Sequence, residues 1–300
     1  MPRLRRSIPL AAIAAIVMTT GLLSPAAATA THRPDHDRPP VIAINVTTQD
    51  GFSMPSMMHA GLVTFRISSP EAGHAIQGFS LKNGATLDQA ITDFNLVLGG
   101  DRPTVVAALK NLYHDVTEIG GVVASTFAAQ EVTVPLTAGT YYFVDLNDID
   151  NPPLTPRVHT LRVHGAFHES DPPRFTSVIT STMQNGMPVF VAPTTMRHDG
   201  TFLAVVSGDE LHESVFRPIR PGVTDAYISQ FYDAFENGTA LPPSPWTGIQ
   251  AGLQALSPGR WAIVHIDLPP GPYALICYVP SDENGEPHGH MGMHHVMTLT

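Results

Sequence analysis

The 300-residue chain carries 16 Lys and Arg against 26 Asp and Glu, a net charge of −10 with histidine neutral. That balance argues against nucleic acid and anionic membranes as partners, since both need a basic face. With 28 Pro, 24 Gly and only 14% charged residues, the composition favours short strands and turns over long helices.

Residues 1–30 read as a signal peptide. Arg3, Arg5 and Arg6 form a basic lead, Ile8 to Leu23 an apolar stretch, and Ala28-Thr29-Ala30 a small-x-small cleavage signal. Thr19, Thr20 and Gly21 interrupt the apolar stretch, which stays shorter than the roughly 20 residues a membrane span needs. The expectation is a secreted, extracellular or periplasmic protein with no membrane span, cleaved near Ala30. Cleavage removes three arginines and leaves 13 basic against 26 acidic residues. Residues 31–40 are polar and Pro-rich and read as a disordered lead-in.

The remaining length suits two domains, expected at 41–165 and 175–300 and joined by 166–174, where Pro172-Pro173 and flanking charges mark a linker. Val41 to Val46, Gln130 to Val134 and Trp261 to Ile266 alternate with period 2 and read as strands. Leu87 to Leu98, Val105 to Leu112 and Tyr227 to Phe235 carry apolar residues at helical spacing. They are expected to pack outside a sandwich or to cover one end of it.

A unit repeats along the chain. Met57-Met58-His59-Ala60-Gly61 is echoed by Met196-Arg197-His198-Asp199-Gly200, and Glu71-Ala72-Gly73-His74 by Asp209-Glu210-Leu211-His212. Ala138-Gly139-Thr140-Tyr141, leading to Asp145, aligns with Pro270-Gly271-Pro272-Tyr273, leading to Cys277. Offsets near 139 drift through insertions between strands, where loops tolerate them. In the first copy Asp145 stands at the cysteine position, and Asn147 to Val163 has no His-x4-Met.

Cys277 is the chain's one cysteine, so no intramolecular disulfide exists. It is a buried thiol, an intermolecular link or a metal ligand. It lies at the end of the strand-like run Gly271 to Cys277, followed by a turn-rich loop, His288, a four-residue gap and Met293. A thiolate, an imidazole and a thioether on one loop make the soft donor set that copper prefers.

The pattern G-x-Y-x-x-x-C followed by H-x4-M, with Gly292 just before the methionine, resembles the C-terminal copper loop of the cupredoxins, the plastocyanin-like blue copper proteins. The resemblance implies an all-β fold with helical insertions, two tandem cupredoxin-like Greek-key β-sandwich domains, with only the second copy keeping a copper loop. It implies copper held by Cys277, His288, Met293 and a histidine from an earlier strand end, for which His212 is the candidate. In this chain ten residues separate Cys277 from His288, more than the family uses. A hairpin-like excursion through Ser281-Asp282-Glu283-Asn284-Gly285 is expected to absorb them. His290 is an alternative to His288, and the dense run of His288, His290, Met291, Met293, His294, His295 and Met297 leaves room for surplus copper at the surface.

The implied function is one-electron transfer or copper handling, with a redox partner protein or a copper donor and no catalytic residues. The competing reading is a metal-free secreted interaction or scaffold protein with Cys277 in the core. No G-x-S-x-G, H-E-x-x-H or P-loop occurs. A single H-x-H pair, His288-Gly289-His290, and no H-C-H segment argue against a multicopper oxidase or nitrite reductase.

Overall fold

The computed structural model describes residues 38–147 and 157–300. The expected signal peptide, most of the 31–40 lead-in and part of Asn147 to Val163 lie outside the described residues. In chain order the first half has β1 (Val41–Asn45), β2 (Met57–Ser68), β3 (Ala75–Leu81), α1 (Leu87–Gly99), α2 (Arg102–Asp115), β4 (Val116–Val123), β5 (Gln130–Leu136), β6 (Gly139–Asp145) and β7 (Val158–His168). The second has β8 (Ser177–Gln184), β9 (Met187–Val191), β10 (Thr195–Met196), β11 (Thr201–Val206), β12 (His212–Pro218), α3 (Asp225–Glu236), β13 (Ala251–Leu256), β14 (Trp261–His265), β15 (Gly271–Ile276) and β16 (His294–Leu299). The fold is thus mostly β with helical insertions. β7 runs three residues into the stretch expected to be linker.

The strand pairings of the first half recur in the second. β1 runs parallel to β2 as β8 does to β11, and β2 pairs antiparallel with β5 as β11 does with β14. β3 sits between β4 and β6, and β6 pairs β7, as β12 sits between β13 and β15 and β15 pairs β16. The halves join edge to edge through β13 with β4 and β14 with β5, so both layers run across the junction. One apolar core, from Phe65 and Phe143 to Phe202 and Leu275, fills the space between the layers. Joining edges in this way also hides backbone groups that would otherwise template aggregation.

Helices cover the outer faces. Thr86 caps α1 in a reciprocal box with Gln89, and Asp101 caps α2. Both close a second apolar cluster around Phe79, Phe94, Leu112 and Val144. Thr224 caps α3, which packs Ile228 and Tyr232 against Ile219, Ala274 and Ile276. β12 is therefore buried without alternation from His212 to Phe216, charged and polar residues included, and β15 from Tyr273 to Ile276, whereas burial alternates along β11.

Candidate metal centre

β11 leads through residues 207–211 into β12, and His212 opens that strand opposite Leu256. The register slips between His212 and Ser214, an irregularity of the kind that re-aims a side chain. The approach is tied across the halves, because Leu211 N donates to Tyr113 Oη of α2 at 2.7 Å. Cys277 directly follows β15, and Gly289 N donates to its carbonyl at 2.7 Å.

The long loop folds as a small hairpin. Pro280 and Pro287 form an antiparallel bridge, Ser281 N donates to Glu286 O at 2.9 Å, and Gly285 N to Ser281 O at 2.9 Å. Gly285 has φ +72°, and a Cβ there would meet Arg102 O at 2.8 Å, so the turn requires glycine. With the excursion closed, His288 N donates to Val279 O at 3.0 Å and the imidazole returns to the cysteine.

Three sequence-predicted residues meet. Cys277 Sγ lies 3.5 Å from His288 Nδ1 and 3.8 Å from His212 Nδ1, and the two rings are 4.8 Å apart between centroids. Cys277 and His288 are fully buried and His212 is 1% exposed. Met293 is fully buried as well, and its N donates to His288 O at 2.8 Å while its carbonyl faces Cys277 N at 3.4 Å. Among the described residues this is the one group of three His, Cys, Asp or Glu whose ligand atoms lie within 4.8 Å of one another.

Two carboxylates absent from the sequence-based site complete the surroundings. Glu210 Oε2 lies 2.7 Å from His288 Nε2, on the side of the ring away from the sulfur-facing Nδ1. Glu213 N donates to Cys277 Sγ at 3.5 Å, and Glu213 Oε1 accepts from Tyr278 N at 2.6 Å. Burial pushes the Cys277 thiol well up, with Glu213 adding to it. Burial also depresses His212 to about 3, with His288 adding to the effect, so its ring is neutral. Glu213 rises to about 7 through burial. Burial opposes ionisation of Glu210, yet the contacts with His288, Asp282 and Ser281 outweigh it and hold the carboxyl well below its usual range. Glu210 and Glu213 flank His212 in sequence, but nothing in their spacing announces burial.

Two imidazoles with ring nitrogens close to one sulfur fit a metal. Bonds of about 2.3 Å to sulfur and about 2.0 Å to nitrogen place S and N about 3.5 Å apart at a tetrahedral angle and about 3.7 Å apart at a trigonal one. The 3.5 Å separation equals the tetrahedral value and the 3.8 Å one lies just beyond the trigonal value. One thiolate with two imidazoles is a soft donor set that selects copper over the metals that prefer oxygen.

Two other histidines of the tail, His290 and His294, are engaged elsewhere. His290 stacks on Tyr232 at 4.1 Å and meets Glu236 at 2.5 Å, so it does not replace His288. His294 lies between Asp225 at 2.9 Å and Ser229 at 3.1 Å.

No family model and no curated protein matches the chain. Solved structures similar to it include reduced auracyanin from Roseiflexus castenholzii, 17% identical over 42% of this chain and 99% of that one, TM-score 0.25. The blue copper protein auracyanin A from Chloroflexus aurantiacus is 20% identical over 42% and 99%, TM-score 0.27. A blue copper oxidase from Nitrosomonas europaea is 12% identical over 87% and 85%, TM-score 0.20. At such identities and TM-scores these likenesses carry no functional weight, and the chemistry rests on the residues described above.

Proposed function

We propose that the chain is an exported copper protein that transfers single electrons or handles copper through one type 1-like centre. His212, Cys277 and His288 are the strong ligands and Met293 the weak axial one. The carrying observation is the convergence of both Nδ1 atoms on Cys277 Sγ inside a fully buried shell. Copper held there supplies a one-electron couple. The chain's own part is to fix the donors: the β12 irregularity aims His212, the bridged hairpin returns His288, and Glu213 N orients the sulfur. A dry, rigid shell keeps reorganisation small. A redox partner protein or a copper donor is the expected partner.

In the same reading, 41–165 and 175–300 are tandem copies, of which only the second keeps a metal loop. The recurring pairings support this. A metal-free scaffold is the competing reading. It is favoured by the complete burial of Cys277, whose thiol is pushed up as an inert core group would be.

Loading the purified protein with Cu(II) and recording the visible spectrum separates the two. The copper reading expects an intense thiolate-to-copper band that disappears in Cys277→Ser. A colourless wild type with an unchanged thermal midpoint leaves the scaffold reading.

A further inference from the structure

All four proposed ligands are buried to 1% exposure or less, so an ion must reach them through the protein. An open cavity of about 550 Å³ lies between the halves and is walled by Glu210, the neighbour of His288. Its lining is cation-attracting: Asp209, Glu210, Asp282 and Glu283 face a single lysine, Lys82. Two thioethers, Met183 and Met291, line it too, and thioether sulfur prefers monovalent copper to zinc or calcium.

Two further observations connect the cavity to the centre. His288 Nε2 lies 2.7 Å from the wall residue Glu210, and His212 Nε2 is buried without a hydrogen-bond partner. A Cβ at Gly208 would stand 3.5 Å from Met183 Cγ and 3.6 Å from His212 Nε2. Met183 and His212 thus both border the space that a Gly208 side chain would fill.

We propose that this cavity is a second, weaker Cu(I) site, through which copper enters and leaves the buried centre. The role in loading rests on the copper reading of that centre; the binding of Cu(I) in the cavity stands apart from it. The acidic rim concentrates the cation and the thioethers hold it beside Glu210 until Cys277 and the two imidazoles take it.

Anaerobic titration with Cu(I) in competition with bicinchoninate tests both parts. The wild type is expected to take two equivalents. Cys277→Ser is expected to keep one, and Met183→Leu with Met291→Leu in that background to lower its affinity at least tenfold, the Met to Leu changes being close to isosteric. In the chain with Cys277 intact, Asp209→Asn with Glu283→Gln is expected to slow uptake about tenfold at low salt and leave the final copper content unchanged. If Cys277→Ser takes no Cu(I), or the two leucines leave its affinity intact, the cavity site is overturned. If wild type and Cys277→Ser take the same single equivalent, the copper reading of the buried centre fails while the cavity site stands.

Discussion

His74 and Asp145 take, in the first half, the places that His212 and Cys277 take in the second. His74 Nδ1 meets Asp145 Oδ2 at 2.5 Å, and both side chains are fully buried. Asp145 Oδ1 also accepts from Ala75 N at 3.0 Å and Asn147 N at 3.1 Å. Where the second half presents a sulfur to two imidazoles, the first ties one imidazole directly to a carboxylate.

Removing Asp145 therefore leaves a buried imidazole and two backbone N–H groups without their acceptor. Asp145→Ala is expected to lower stability by about 3 kcal/mol, the cost of breaking a buried pair. The copper band should persist in whatever fraction stays folded. Urea unfolding beside copper titration checks both points, and a loss of the band in folded Asp145→Ala would contradict the separation of roles.

Glu118 lies buried on β4 at the junction of the halves, and burial, reinforced by Glu213, raises its carboxyl to about 8 from 4.5. Between those values the folded state holds a proton that the unfolded state has released. Stability contributed at this residue is thus unaffected below about pH 4.5 and falls as pH rises towards 8, by up to about 1.4 kcal/mol per pH unit. Glu118→Gln is expected to flatten that decline. Unfolding free energies from pH 5 to 9 for the two proteins should converge at the acid end and separate at the alkaline end.

Gly289 follows His288 and has no room for a side chain. An added Cβ would stand 2.7 Å from Ile276 Cγ2 and 3.0 Å from Cys277 O. Gly289→Ala is expected to push His288 away from Cys277, costing about 1 to 3 kcal/mol in stability as overpacking does. The copper band should weaken or shift in parallel. A variant with wild-type thermal midpoint and spectrum would show that the loop yields freely.

Tyr113 reaches from α2 to the residue before His212. In Tyr113→Phe the Leu211 N–H loses its 2.7 Å acceptor, an expected loss of about 1 to 2 kcal/mol. Hydrogen exchange at residues 209–213 should rise more than in the 41–68 segment. Equal protection in both would mean that α2 does not hold the turn.

Much of this was legible in the sequence because it is local. The helices over Leu87–Gly99, Arg102–Asp115 and Asp225–Glu236 match their apolar spacing, since amphipathic periodicity and caps act within a few residues. Turn-forming residues between Pro280 and Gly285 foretold the hairpin excursion for the same reason. The strand end at Cys277 and the histidine after it also announced the donor chemistry, because copper's preference for soft ligands depends on residue type alone.

Tertiary structure decided what depends on distance in space. Only folding brings His212, 65 residues away, to 3.8 Å from Cys277, chooses His288 over His290, and turns Glu210, Glu213 and Glu118 from surface-type residues into buried ones. Joining β4 to β13 and β5 to β14 likewise has no local signal, because hydrogen bonding between strand edges carries no sequence periodicity of its own. Side-chain spacing sets which face of a strand is apolar; which strands and which acids then meet is set by the packing of the whole chain.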